Sequence, residues 1–115
     1  MSVRRYVPTT LAHLARDWEA DGPEVVDPVL AEDESEEGEY AALMAGADRS
    51  AGLVAGLPDG RRRRVVVVVE TAAADHQVTW RDVVAVHLDA ADDAAPDEDL
   101  AWFATQEIGD LLASL

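Results

Sequence analysis

The chain has 115 residues, 49% of them apolar and 5% aromatic, with 24 acidic residues against 9 basic ones and a formal net charge of −15. A chain of this length is expected to form a single domain over residues 1–115 that buries roughly two-thirds of its unfolded surface, with a core built from Val, Leu and Ala. The absence of cysteine excludes a disulfide scaffold, a thiolate zinc site and a cysteine nucleophile, and the acidity argues against binding nucleic acid through its phosphates.

Every basic residue is Arg, a habit of GC-rich genomes rather than a chemical signal. The acidity most simply keeps a small domain solvated. Two sharper readings are mimicry of a phosphate backbone and adaptation to high salt. The opening MSVRRYVPTT has no long apolar stretch after its charges, unlike a signal peptide. No apolar run is long enough to span a membrane. The expected setting is the cytoplasm.

Residues 3–7 read as a strand stopped by Pro8, which cannot donate to a ladder. Thr9 or Thr10 then caps a helix whose Leu11, Leu14, Ala15 and Trp18 share one stripe, and Asp21-Gly22-Pro23 ends it. Residues 24–30 are ambiguous. Val25, Val26, Val29 and Leu30 suit a short strand, and Pro28 restricts it to an edge. The acidic run at residues 31–39 reads as a solvated loop entering a helix with its carboxylates at the positive end. The spacing of a calcium loop is absent. Tyr40, Leu43, Met44, Ala47, Ala51 and Val54 step at helical intervals and predict a helix over residues 37–56. Within it Gly46 and Gly52 each cost about 1 kcal/mol relative to Ala, and both would permit close packing on a sheet.

After the turn signal Pro58-Asp59-Gly60 comes the segment around which the chain is organised, RRRRVVVVVE at residues 61–70. Five consecutive valines cannot form one face of an amphipathic helix, and β-branched side chains suit a pleated surface. A short run apolar on both sides predicts a central strand covered front and back. Arg61, Arg62, Arg63 and Arg64 are expected to pair with the protein's own carboxylates and to guard the valines against aggregation. Residues 71–79 read as a loop, Trp80-Arg81-Asp82 as a turn and residues 83–89 as a strand. Alternation sends Val84, Val86 and Leu88 to one side and Ala85, His87 and Asp89 to the other. Residues 90–99 form an acidic connector and residues 100–104 an extended piece. Thr105 is expected to cap a last helix carrying Ile108, Leu111, Leu112 and Leu115, in which Gly109 fits badly.

The fold expected is α/β (α+β), a mixed sheet of three to four strands with about three helices packed on it. The valine strand is internal and the first strand its neighbour through a right-handed crossover. The split β-α-β plan of ferredoxin-like folds is one candidate.

Two constellations could carry chemistry. His87 and Asp89 lie on one strand face about 7 Å apart, and Glu70 ends the neighbouring strand. One His with two carboxylates can hold a divalent metal or orient a general base, although half-exposed strands often carry such residues. His13 and His76 have no partner at ligand spacing. The serines lack a nucleophile-elbow context, and no phosphate-binding glycine motif is present. The second group is Trp102, Phe103, Gln106 and Glu107, which either closes the core or, if exposed, anchors an interface.

The segments YVPTTL, EEGEYAAL, RRRVVVVVE, VVAVHLDA and LAWFATQEIGDLL, in this order, resemble a family of small uncharacterised actinobacterial proteins, a domain of unknown function. The resemblance touches nearly the whole chain, and its most specific pieces are the Tyr-Val-Pro opening and the Trp-aromatic-x-x-Gln-Glu ending. Between Gly22 and Glu34 the chain is shortened relative to that pattern. The resemblance implies a bacterial cytoplasmic origin and brings no activity and no functional residues. The expected function is a non-enzymatic protein-interaction or regulatory module whose partner is another protein, with no cofactor, nucleic acid or membrane involved. The alternatives are an acidic decoy occupying the nucleic-acid site of a basic partner, and a small metal-dependent enzyme using His87, Asp89 and Glu70.

Overall fold

A helix would point five adjacent valines all round its axis, whereas an extended chain divides them between two faces that can both be buried. In the computed structural model, which describes residues 2–58 and 62–114, these valines begin β3 (Val65–Thr71), and none of the five is more than 3% exposed. Around it the described residues form β1 (Val3–Thr9), α1 (Leu11–Trp18), β2 (Val29–Leu30), α2 (Glu36–Val54), β4 (Val83–Leu88), β5 (Ala101–Phe103) and α3 (Ile108–Ala113). No helix among them is long and apolar enough to cross a membrane.

The strands make one sheet in the order β2-β1-β3-β4-β5, and every neighbouring pair is antiparallel. The sheet is therefore five-stranded and antiparallel, not mixed with three or four strands. β1 does neighbour β3, with Val7 opposite Val67, but in the antiparallel sense. The reason is β2, which reverses the chain beside β1 before α2 carries it on to β3. The crossover thus joins β2 to β3, which run the same way with β1 between them. The element order β-α-β-α-β-β-β-α differs from the β-α-β-β-α-β of a ferredoxin-like plan. Pro8 also fails to end β1. It lies opposite Val66, at a point where the other flank of β1 carries no strand because β2 reaches only Arg5 and Tyr6, so its missing N–H breaks no ladder.

Alternation along β3 divides the core. Val65, Val67 and Val69 pack with Val7, Leu14, Val86, Leu88 and Ile108 on the side of α1 and α3. Val66 and Val68 pack with Tyr6, Ala42 and Ala47 on the side of α2. In α1 the cap is Thr10, whose Oγ1 accepts from the His13 N–H at 3.1 Å. Ala15 is exposed rather than on the buried stripe, and Asp17 is buried instead. Its carboxylate accepts from the Arg16 side chain and from the Glu24 N–H at 3.0 Å, tying down the chain that leaves the helix.

Helix α2 starts at Ser35, whose Oγ accepts from the Gly38 N–H at 3.0 Å. Its buried residues are Ala42, Gly46, Ala47, Ser50 and Val54, so the buried face is rotated from the expected stripe and Tyr40 is exposed. Close approach explains the rotation. A Cβ at Gly46 would lie 3.3 Å from Val66 Cγ1, whereas one at Gly52 would meet nothing within 4 Å. At the closest approach, around Gly46, only a small side chain fits. Ser50 uses its hydroxyl there to donate to Thr9 O at 2.7 Å and to accept from Val65 N–H at 2.8 Å, linking the end of β1 to the start of β3.

Strand β4 carries a bulge. Val68 lies opposite Ala85 and Val69 opposite Val83, which leaves Val84 without a partner and 40% exposed. The inward set is therefore Val83, Val86 and Leu88 instead of Val84, Val86 and Leu88, because one extra residue shifts the alternation. Thr105 does not cap α3. Its hydroxyl donates to Val83 O at 2.6 Å, and a turn of 3₁₀ helix at Thr105–Glu107 leads into the helix. Gly109 packs beneath the Trp18 ring. Leu115 and Arg61 lie outside the described residues, as does most of the Pro58-Asp59-Gly60 turn.

The other three arginines meet the chain's own carboxylates. Arg62 pairs with Asp93 at 2.7 Å and Arg63 with Asp92 at 3.3 Å. Arg64 is buried. Its Nε and Nη2 each donate to Asp89 at 2.8 Å, and its Nη1 and Nη2 also reach the carbonyls of Pro96 and Glu98. This one side chain fastens the connector to the sheet.

Three outcomes in urea unfolding follow. Gly46→Leu should cost about 1–3 kcal/mol by overpacking against Val66, while Gly52→Ala should stabilise by up to about 1 kcal/mol. Asp89→Ala, which strands a buried guanidinium, should cost about 3–5 kcal/mol.

Candidate functional site

The structure does not bring His87, Asp89 and Glu70 together. His87 lies opposite Val66 in β3, and Glu70 is four residues further along that strand, about 13 Å away. Asp89 is buried and its two oxygens accept from Arg64 Nε, Nη2 and N–H. Glu70 Oε1 accepts from Arg4 Nε at 3.2 Å. Each carboxylate is thus held by an arginine, and among the described residues no group of three or more His, Asp or Glu is placed to hold a metal. His13 and His76 are exposed.

The second group is divided by the twofold period of β5. Trp102 lies opposite His87 on the α2 side of the sheet and is 58% exposed. Phe103 lies opposite Val86 and packs, partly buried, on the core beneath α1 and α3. Gln106 and Glu107 are exposed in the 3₁₀ turn. Core closure thus describes Phe103, and exposure describes Trp102.

What surrounds Trp102 is a groove. Helix α2 packs on β1, β2 and β3, so its cover ends before β4 and β5. The space left, about 340 Å³, is lined on the sheet side by Tyr6, Val84, His87 and Trp102 and on the helix side by Tyr40 and Leu43. Glu36 and Glu39 stand on the helix wall and Arg4 on the floor. Arg4 links Glu70, at 3.1 Å, to Glu39, at 3.7 Å. The Tyr40 hydroxyl donates to Asp99 at 2.8 Å, which holds its phenol above its ordinary pKa and tethers the connector beside the helix. Tyr40 and Val84 had given no sign of this role in the sequence. Tyr40 fell on the apparent buried stripe, and the bulge that turns Val84 outward has no motif. The row of small residues at positions 42, 46 and 50 was the available clue to the helix's true orientation.

Burial pushes the His87 imidazole below its ordinary value of 6.5. The folded state therefore favours the neutral ring. Its contribution to stability is full above about 6.5, the unfolded value, and is lost as the pH falls toward the depressed folded value. Urea midpoints measured at pH 7 and pH 5 should fall further in the native protein than in His87→Gln, and equal decrements would remove this assignment.

No curated protein and no solved structure matches the chain. A family does match, over residues 3–96, which take in β1 to β4 and most of the acidic connector. The C-terminal segment with Trp102 lies beyond the match. Since the matched residues make up well over half of the polypeptide, the protein belongs to the family of unknown function DUF6912.

Proposed function

We propose that the protein is a non-enzymatic interaction module whose groove between α2 and β5 receives a segment of another protein bearing both apolar and cationic side chains. The observation that carries this reading is the convergence of three large exposed side chains, Tyr40, Val84 and Trp102, on one depression. Clustered apolar exposure of this kind is how small soluble proteins present docking surfaces, and aromatic residues are the usual anchors. The electrostatics select the partner. Glu36 and Glu39 line the groove, and an adjoining cleft of about 520 Å³ is lined by Glu32, Asp33, Glu34, Glu39 and Glu70. With a net charge of −15, approach of a cationic segment is accelerated and that of an anionic one suppressed.

That same gathering of carboxylates favours a second reading, in which the acidic surface itself occupies the nucleic-acid site of a basic protein. The two differ in what they ask of Trp102. In the groove reading the indole is an anchor; in the decoy reading binding rests on many carboxylates and weakens steeply with salt.

The test is capture of partners from extracts of the native host on immobilised protein, comparing the native chain with Trp102→Ala and quantifying each retained species. The groove reading expects at least a tenfold loss of the specific partner, since truncating an interface anchor typically costs about 2 kcal/mol or more. The thermal midpoint should hardly move, because the side chain is exposed. Equal retention by both proteins would overturn it, and a steep salt dependence alongside equal retention would select the decoy.

A further inference from the structure

Arg5 stands apart from the other buried cation of this protein. It is 5% exposed and Arg64 is 4% exposed, yet the Arg64 side chain holds Asp89 through two hydrogen bonds, from Nε and Nη2, and Arg5 pairs with no carboxylate among the described residues. Its Nη2 donates to Thr71 Oγ1 at 3.2 Å and to the His76 carbonyl at 2.9 Å, and its Nε is buried without a partner. Burying an unpaired guanidinium is costly. A chain with 24 carboxylates has no shortage of counter-ions, so a buried guanidinium whose charge none of them neutralises stands out.

The guanidinium borders a cleft of about 430 Å³ between the chain that leaves α1 and the loop that follows β3. Pro23, Val25 and Val78 supply apolar lining, and Asp21 and His76 also border it. The walls are held. The Trp80 indole donates to Ala20 O at 3.0 Å, the Trp80 N–H to Asp21 O at 3.3 Å, and Asp17 fixes Glu24. A Cβ at Gly22 would lie 2.3 Å from the Val78 carbonyl oxygen, so only glycine allows the two loops to touch.

We propose that this cleft is a binding site for a small monocarboxylate with an apolar body, its carboxylate taken by Arg5. A guanidinium attracts a carboxylate or a phosphate, and with both Nη2 hydrogens engaged and Nε buried, Nη1 is the nitrogen left to meet one. The strongly negative field of the protein and the neighbouring Asp21 penalise a second negative charge on the ligand, which selects the carboxylate. The volume lies within the range of small-molecule sites, and the lining sets apolar side chains beside one buried cation. The site is distinct from the groove beside Trp102, which lies on the other side of the sheet.

The test is a titration of the full-length protein, followed by amide NMR shifts, with acetate, isobutyrate, benzoate and inorganic phosphate in turn. Saturable shifts confined to residues 20–25 and 76–78 are expected, with affinity rising from acetate to benzoate and phosphate at least about tenfold weaker than benzoate. Arg5→Lys and Arg5→Met should each weaken benzoate binding by about tenfold or more, while Arg81→Gln, at an exposed arginine, should leave it unchanged. Arg5→Met should also unfold no more easily than the native protein, because it removes an unpaired buried charge. Absence of saturable shifts with all three carboxylates, tighter binding of phosphate, or undiminished binding by an Arg5 variant would each overturn the proposal. The titration of the native protein decides the question even if a variant fails to fold.

Discussion

The constraint on which the rest of the structure depends is that β3 must be dry on both faces. Its five valines could contribute roughly 1.5–3 kcal/mol each as an upper estimate, and an extended strand points them alternately to opposite sides. One layer of cover would leave half of that surface in water. The chain therefore needs helices on both faces, and it divides them, with α2 over Val66 and Val68 and α1 and α3 over Val65, Val67 and Val69. Strands on both flanks, β1 and β4, satisfy the backbone of β3 in the sheet plane.

The two covers are not alike, and the difference produces the groove. On one side Leu14, Ile108 and the Trp18–Trp80 pair, with ring centroids 4.9 Å apart, fill the layer with large side chains. On the other, α2 lies close over β1 and β3 by presenting Ala42, Gly46 and Ser50. A helix drawn in so tightly covers those strands and leaves β4 and β5 beyond it. The bulge at Val84 and the alternation that sends Trp102 to the same face then furnish that uncovered part with apolar side chains. Close packing at one place and exposure at another are two results of the same helix position.

Charge is arranged with similar economy. Although acidic residues greatly outnumber arginines, the described arginines at positions 4, 16, 49, 62, 63 and 64 each find a carboxylate. Their partners sit mostly in the segments with least regular structure, so the pairs serve to bind loops to the sheet. The surplus carboxylates remain solvated, which leaves the surface strongly anionic. Against that background a buried arginine paired with no carboxylate is conspicuous. Arg5 reaches instead for a hydroxyl and a carbonyl, which orient it without neutralising it.

Much of the layout could be read without coordinates. The valine run, the Thr10 cap and the helical spacing of Leu11, Leu14 and Trp18 are local, and local chemistry decides them. The internal position of β3, its partnership with β1 and the pairing of its arginines also follow, because burial and neutralisation of those residues have few other solutions. The direction of β1 against β3 did not follow, since it turned on whether two residues, Val29 and Leu30, paired with an edge. The buried face of α2 and the exposure of Tyr40 depended on how near the helix could approach Val66. The outward turn of Val84 depended on one extra residue in β4, and the isolation of Arg5 on which loops met around it. What the order of amino acids determined by itself is which segments extend, which coil and which must be dry, because those preferences act over a few residues. What only the tertiary structure decided is strand direction, helix rotation and which polar groups go without partners, because those depend on distances between segments far apart in the chain.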